Sequence, residues 1–566
     1  MVLVFSILCG AIVHTNRLRG SSSSDISESA AADETTNIDS FFREQSILLN
    51  PPRYFARYHG SQGRQLVQRC ASKVIEDDDN TDFTIFESVG GSESIPCLDM
   101  LKQSADVLSV EEDYPAWAFA SVADRTLAYQ SIRHLKEQIP WGIIETQADS
   151  LEQGGANVTI CVVDTGVAAK HPDLHTSRIT GVDRGDRNWK WDQDRAGHGT
   201  HVAGTITAVA GNNIGVRGVG NFQLMVVRAL GDSATGYESD IWKAVQICID
   251  KKVDIINLSL GTAQMSTYAK DLYTKAVEEY GIIMVAAAGN SADTTKYYPA
   301  SHPSVISVGA INMAGKRFFS SVSNDQIELV APGEQILSTA VATHAVHTPD
   351  GFAFPANRVV GVPNYAVTGD LVTCKAGSTC NDAKDGGICL IDISSAKSSL
   401  EDVMMGCKNG GGAGAVFYNS DKPLDKIDSI YVMGQDAIPV IAVSKNTGLT
   451  LTQNLEDSKD STYEVVIGDS GGDNVEYIWQ NMSGTSMATP HVSASLALLK
   501  SHFPDCSNHQ LRYALALKAQ HPDGGCNQEY GYGVIKVKDA FEWLGGKDGC
   551  DWDVPHRSAG GCTTLD

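Results

Sequence analysis

The stretch NMSGTSMATPHVSASLALLK, residues 481–500, sets three hydroxyls, Ser483, Thr485 and Ser486, ahead of a run of small and apolar residues. A serine hydroxyl is a poor nucleophile until a neighbouring base takes its proton, and that base needs a third group to fix its tautomer. From Met487 to Lys500 the pattern predicts a buried helix, with Pro490 early in it, where a missing N–H costs least. Ser486 then stands at a helix N-terminus, where unpaired N–H groups and the dipole favour developing negative charge. Alone, such a start reads first as ordinary capping.

Two further stretches supply the missing partners. VTICVVDTGVAAKHPDL puts Asp164 at the carboxyl end of a buried strand, the edge at which α/β sheets bind ligands, although a single Asp there commonly caps a turn. DRAGHGTHVAGTITAVA puts His198 between two glycines at the start of another small-residue helix. Alone it reads as structural, and HGTH lacks the HExxH spacing of a zinc protease. Together the three provide an alcohol, an imidazole to take its proton and a carboxylate to hold the imidazole. Their order excludes the Ser–acid–His order of α/β-hydrolases, and GTSMA is not the G-x-S-x-G elbow.

The motifs VVDTGV, HGTHVAGT and SGTSMATPHV resemble the three active-site blocks of the subtilases, the subtilisin-like serine proteases, over roughly 139–345 and 471–545. The resemblance implies that Asp164 orients, His198 acts as general base and acid, and Ser486 is the nucleophile, with Ser483 and Thr485 supporting the turn. It implies that Asn290, closing VAAAGN, donates to the oxyanion beside the Ser486 N–H. Ser259, Leu260 and Gly261, with Ala287, Ala288 and Gly289, resemble the two segments lining the substrate cleft, where substrate backbone adds as a strand and specificity is broad. His491, one turn past the nucleophile, reads as a core histidine. Catalysis calls for no cofactor. Glu137, Asp173 and Asn212 in the loop GNNIGV line up with the family's structural calcium site, an Asn-Asn turn being the alternative.

These residues need a frame. VTICVVD, FQLMVVRAL, VDIINLSLG, GIIMVAAAGN and SVISVGAI are near-continuous apolar runs, as in parallel strands covered on both faces. Helical patterns, SDIWKAVQICIDKK and AKDLYTKAVEEY, alternate with the later ones. The fold class is α/β, a subtilisin-like doubly wound, mostly parallel sheet, with a small α+β propeptide and a β-rich insert. Residues 1–19 read as a signal peptide, 20–51 as a disordered acidic and Ser-rich segment, and 120–138 as linker and maturation region. Residues 52–119 resemble the family's inhibitory propeptide, which the enzyme itself removes by a cut between Ala118 and Gln138. The catalytic domain covers 139–349 and 471–545, a tail follows over 546–566, and the 350–470 insert resembles a protease-associated domain.

The chain has 566 residues, enough for about three or four domains, and a net charge of −24, which disfavours nucleic acid and anionic membranes as partners. No stretch reaches membrane-spanning length. With Cys9 set aside in the signal, twelve cysteines remain. Cys374, Cys380, Cys389, Cys407, Cys550 and Cys562 fit the disulfides of a secreted protein better than a zinc site, and Cys161, inside an apolar strand, reads as a buried free thiol. Sequons at Asn157, Asn257 and Asn481 lie in or beside core motifs and read as unmodified. The leading reading is a secreted serine endopeptidase made as a zymogen, acting on proteins or peptides and inhibited by its own propeptide. The rival, a catalytically silent binding protein acting through the insert, would be free to lose the four catalytic positions, which this chain keeps. A convertase with narrow basic-site preference is disfavoured, since fewer than 25 residues follow Leu544.

Overall fold

The computed structural model describes residues 52–78, 82–88, 94–119, 137–349, 353–358, 363, 365–394, 396–419, 437–458, 462–469, 475–522, 524–546, 550–554 and 561. The proposed signal, the acidic segment and nearly all of the 120–138 linker lie outside them.

The first region runs β1 (Arg53–Tyr58), α1 (Gly60–Cys70), β2 (Ala71–Asp78), β3 (Phe83–Ser88), α2 (Ser94–Gln103), β4 (Val107–Glu112) and β5 (Pro115–Ala118). Its antiparallel sheet has the order β2-β3-β1-β4. Alternation along β1 and β3 splits the apolar residues between two faces. Ala56, Tyr58 and Phe86 pack with Val67 of α1 and Leu101 of α2, while Phe55, Phe83 and Ile85 point the other way.

The catalytic part continues with α3 (Trp141–Glu145), β6 (Thr159–Asp164), β7 (Ile179–Val182), α4 (His198–Thr207), β8 (Gln223–Arg228), β9 (Thr235–Tyr237) and α5 (Glu238–Asp250). Then come β10 (Ile255–Leu258), β11 (Leu260–Thr262), α6 (Thr267–Glu278), β12 (Ile283–Ala287), β13 (Ile306–Ile311) and β14 (Leu329–Pro332). Seven strands form one parallel sheet in the order β14-β13-β12-β10-β6-β8-β7. The five apolar runs are all in it. Two four-residue strands, β7 and β14, lacked a sequence signal of sufficient length. The outward face of β1 and β3 docks on α5 and α6, where Phe55 lies 5.3 Å from the Trp242 ring and 5.5 Å from that of Tyr268.

The insert is entered through β15 (Ile336–Ala342), which pairs antiparallel with β23 (Glu476–Met482) on return. Between them lie β16 (His344–His347), β17 (Ala353–Arg358), β18 (Val367–Lys375), β19 (Ile388–Asp392), α7 (Leu400–Asn409), β20 (Gly414–Tyr418), β21 (Val440–Ala442), α8 (Lys445–Asp457) and β22 (Glu464–Asp469). Seven of these strands close a barrel, β16-β17-β21-β20-β19-β18-β22. The insert therefore begins near residue 344, not 350, because β16 pairs with β17 and β22 inside the barrel.

The last helices are α9 (Thr485–His502), α10 (Asn508–Leu517) and α11 (Val537–Gly545). From Thr485 to Leu499 every residue of α9 is buried, because the helix packs on the sheet, α4, α10 and α11 at once. Pro490 is its sixth residue, further in than the free N–H positions. The cost is offset locally: the Ser486 carbonyl, which has no N–H at position 490 to bind, accepts from the Ser259 hydroxyl at 2.9 Å.

Disulfides join Cys70–Cys97, Cys161–Cys248, Cys374–Cys380, Cys389–Cys407 and Cys506–Cys550. Cys161 is thus not a free thiol. It leaves β6 on the face that α5 covers, and Cys248 of α5 meets it there. Cys562 lies outside the described residues.

Candidate active site

His198 is the first residue of α4, behind Gly197 at a φ of 78°. Its ring is fixed through Nδ1, which donates to Asp164 Oδ1 at 2.7 Å at the end of β6. Burial works against the imidazolium, but the charge and hydrogen bond of Asp164 outweigh it, and the His198 pKa is raised above 6.5. The other ring nitrogen, Nε2, is buried and has no hydrogen-bond partner among the described residues.

The helix start is held by a residue that the motif reading passed over. Asp194 is buried and accepts from the Thr200 N–H (2.8 Å), the Thr200 hydroxyl (2.6 Å), the Gly197 N–H (2.8 Å) and the Thr165 hydroxyl (2.8 Å). It is an N-terminal capping carboxylate, and its signal was an Asp four residues ahead of the histidine.

Ser486 is the second residue of α9, after Gly484 at a φ of 149°, and is fully buried. Its hydroxyl donates to the Ser259 carbonyl at 2.7 Å rather than to His198. Catalytic hydrogen bonds commonly form only as the reacting geometry is reached. A buried chain supports the nucleophile: Ser493 donates to Asn257, Asn257 to the Ser259 hydroxyl, and that hydroxyl to the Ser486 carbonyl. Asn257 is thereby committed to the core, which agrees with the reading of its sequon as unmodified.

Asn290 is oriented from behind. Its Oδ1 accepts from the Thr485 N–H and hydroxyl, both at 3.0 Å, so its Nδ2 faces the cleft. There it donates at 2.7 Å to the carbonyl oxygen of Phe119, which also accepts from the Ser486 N–H at 3.3 Å. Ser483, as expected, supports the turn, accepting from the Gln335 N–H.

The segment leading to Phe119 lies in the cleft. β5 is the middle strand of a small antiparallel sheet, β11-β5-β9. Ala118 pairs with Leu260, Trp117 with Gly261 and Ala116 with Thr262, and Ala116 faces Gly236 on the other side. The Phe119 ring enters a slot between Gly261, where a Cβ would come within 2.6 Å of it, and the Ala287, Ala288 and Tyr297 wall. Gly289, at a φ of 117°, leaves room for the Tyr297 ring. All six cleft residues named from the sequence are therefore gathered around one extended segment. Tyr297 was missed, having no motif of its own.

His491 is buried, its Nδ1 2.8 Å from the Met487 carbonyl, and burial lowers its pKa to about 4. It stays neutral as a core residue.

Glu137, Asp173 and Asn212 do come together, and their side chains are engaged by protein donors. Asp173 accepts from three protein donors: Asn212 Nδ2 at 2.7 Å, the Val216 N–H at 2.8 Å and the Trp479 indole N–H at 2.7 Å. Asn212 turns its amide nitrogen to Asp173 and spends its oxygen on the Ile214 N–H. Glu137 accepts from the Gly211 and Asn213 N–H groups. Gly215 closes over the pair, since a Cβ there would lie 2.0 Å from Trp479 Nε1 and 2.2 Å from Asp173 Oδ2.

Comparison with known proteins matches this geometry to one class. The model of the Peptidase S8 subtilase family matches residues 155–354 and 451–533. The chain belongs to the subtilase family. It is 36% identical over 247 residues to Subtilisin E of Bacillus subtilis (strain 168), covering 42% of this chain and 60% of that protein. It is 39% identical over 211 residues to a subtilisin of Bacillus pumilus, covering 36% of this chain and 75% of that protein. The chain thus spans about 60% of the length of several curated relatives that it matches. Among solved structures, fervidolysin of Fervidobacterium pennivorans, a keratinolytic enzyme related to subtilisin, has a similar fold, with a TM-score of 0.54 at 20% identity over 87% of this chain and 61% of that one.

Proposed function

We propose that this chain is a serine endopeptidase, made as a self-inhibited precursor, that first cuts its own chain after Phe119 and then hydrolyses peptide bonds in other proteins. The observation that carries this is the Phe119 carbonyl oxygen, held between Asn290 Nδ2 and the Ser486 N–H as a scissile carbonyl would be.

In the reaction, the Ser486 hydroxyl turns from the Ser259 carbonyl and gives its proton to His198 Nε2. Its oxygen bonds to the carbonyl carbon. The carbonyl oxygen takes the negative charge, which the two donors stabilise. Asp164 holds the imidazolium. His198 then protonates the leaving amide nitrogen, the C–N bond breaks, and an acyl-enzyme remains on Ser486. Water, deprotonated by His198, attacks the acyl carbon, and the proton returns to Ser486 as the ester bond breaks.

Residues 52–119 serve as the propeptide in this reading, because β5 fills the substrate strand position. Disulfides in the first region, the core and the insert support an oxidising, secretory compartment. The inserted barrel is read as a protease-associated domain from the resemblance of its strands.

N-terminal sequencing and intact mass of the purified protein test this. The wild-type chain should begin at Ala120, and Ser486→Ala should stay unprocessed. Processing of Ser486→Ala at the same bond would overturn the proposal.

A further inference from the structure

Trp117 and Phe119 lie two residues apart on an extended strand, so their side chains leave the same face. Both meet one residue of the cleft wall. The Tyr297 ring lies 5.0 Å from that of Phe119 and 6.1 Å from that of Trp117, and the latter two are 6.1 Å apart. All three pairs are edge-to-face, at interplanar angles of 62°, 84° and 88°, and within the range in which aromatic quadrupoles attract.

With the Pro115–Phe119 segment in the cleft, Tyr297 is buried. It is 2% exposed and packed against Gly289. The neighbouring Tyr298 exchanges both backbone hydrogen bonds with Thr262, at 2.8 and 2.9 Å, which ties this wall to the strand that substrate pairs with. The opposite face of the cleft is closed. Ala116 is 1% exposed and belongs to the buried cluster that includes Leu230, Ile241 and Leu260.

We propose that Tyr297 is a specificity-determining residue that reads two aromatic side chains of the substrate jointly: the residue whose carbonyl is attacked and the residue two before it. The residue three before the one whose carbonyl is attacked is held to the size of alanine. The favoured substrates are therefore extended segments of the pattern small-aromatic-small-aromatic ahead of the cut. This rests on reading the Pro115–Phe119 segment as a substrate mimic, and it narrows the broad specificity that main-chain pairing alone would give.

The test is a cycle of four fluorogenic peptides, Ala-Trp-Ala-Phe, Ala-Ala-Ala-Phe, Ala-Trp-Ala-Leu and Ala-Ala-Ala-Leu, each carrying an aminomethylcoumarin leaving group, with the processed wild-type enzyme. The kcat/KM of the Trp/Phe peptide should exceed the product of the two single gains, on the order of three- to ten-fold, since the aromatic contacts are coupled. This arm needs no variant. Tyr297→Phe should keep the excess, and Tyr297→Leu should abolish it while the Leu peptides are still cut. Purely multiplicative gains, or an excess that survives in Tyr297→Leu, would overturn the inference and leave the protease reading standing. Failure of processed enzyme to cut any of the four would overturn both.

Discussion

Asn290 is aimed for its proposed oxyanion role because Thr485 takes the other end of its amide. Two donors on Oδ1 leave Nδ2 one direction to face, and that direction is the Phe119 carbonyl. Asn290→Ala should lower kcat with little change in KM; in subtilisin, a relative, removal of the corresponding donor lowers kcat by about 100- to 1000-fold. Thr485→Val keeps one of the two donors, so its loss should be smaller, about five- to ten-fold in kcat, the worth of one hydrogen bond. In an Asn290→Ala background it should cost nothing further, and a full extra loss there would show that Thr485 does not act through Asn290. His198 must be neutral to take the proton, and its pKa is raised above 6.5. A raised pKa keeps it protonated to higher pH, so the acid limb of kcat/KM should fall on the alkaline side of 6.5, and an acid limb below that value would contradict the role given to Asp164. Ser486, His198, Asp164 and Asn290 were legible as candidates because each sits in a contiguous motif. Phe119, Tyr297 and Asp194 were not, because their roles depend on which distant strand or helix end they meet.

At the scale of elements, long apolar runs announced the sheet, and the fully buried α9 followed from its unbroken small and apolar pattern. Pairing across elements was harder to read. Cys161 looked like one more apolar strand residue, and only the packing of α5 on β6 revealed Cys248 opposite it. The bond closes a loop of 87 residues. Replacing both cysteines by alanine should cost about 2 to 4 kcal/mol of stability, measured by denaturant unfolding of the Ser486→Ala chain with its other disulfides intact. The calcium loop was hard to read for a similar reason. Glu137, Asp173 and Asn212 were correctly placed by sequence, but Trp479, some 300 positions on, supplies the N–H that occupies Asp173. Chelation with EDTA should leave the melting temperature unchanged. A fall that calcium restores would put the ion back at this loop. Trp479→Phe should destabilise by about 1 to 3 kcal/mol, because it leaves a buried carboxylate short of a donor.

For the molecule as a whole, the segment before β5 is docked through carboxyl groups at two helix ends. Asp113 accepts from the N–H and hydroxyl of Ser239 at the start of α5, and Glu111 from those of Thr267 at the start of α6. Burial raises the Asp113 pKa to about 6, against the opposing pull of Arg53 and Ser239, and burial raises Glu238 beside it to about 8. A carboxyl group whose docked pKa is raised contributes fully below its ordinary value, and that contribution is lost as pH rises through the docked one. Docking of β5 should therefore loosen between about pH 4 and about pH 8. Amide exchange across 115–118 in the Ser486→Ala chain, corrected for the intrinsic pH dependence, measures it. Protection should fall over that range, and constant protection would contradict the account.

The central claim is that Ser486 is an alcohol activated by His198 and reachable only once the cleft is cleared. It is tested most directly by mass spectrometry of the protein after exposure to an organophosphonate probe. One adduct, on Ser486, is expected in the processed enzyme, with none in His198→Ala or Ser486→Ala. Labelling of Ser486→Ala equal to the wild type, or an adduct on any other residue of the processed enzyme, would contradict it.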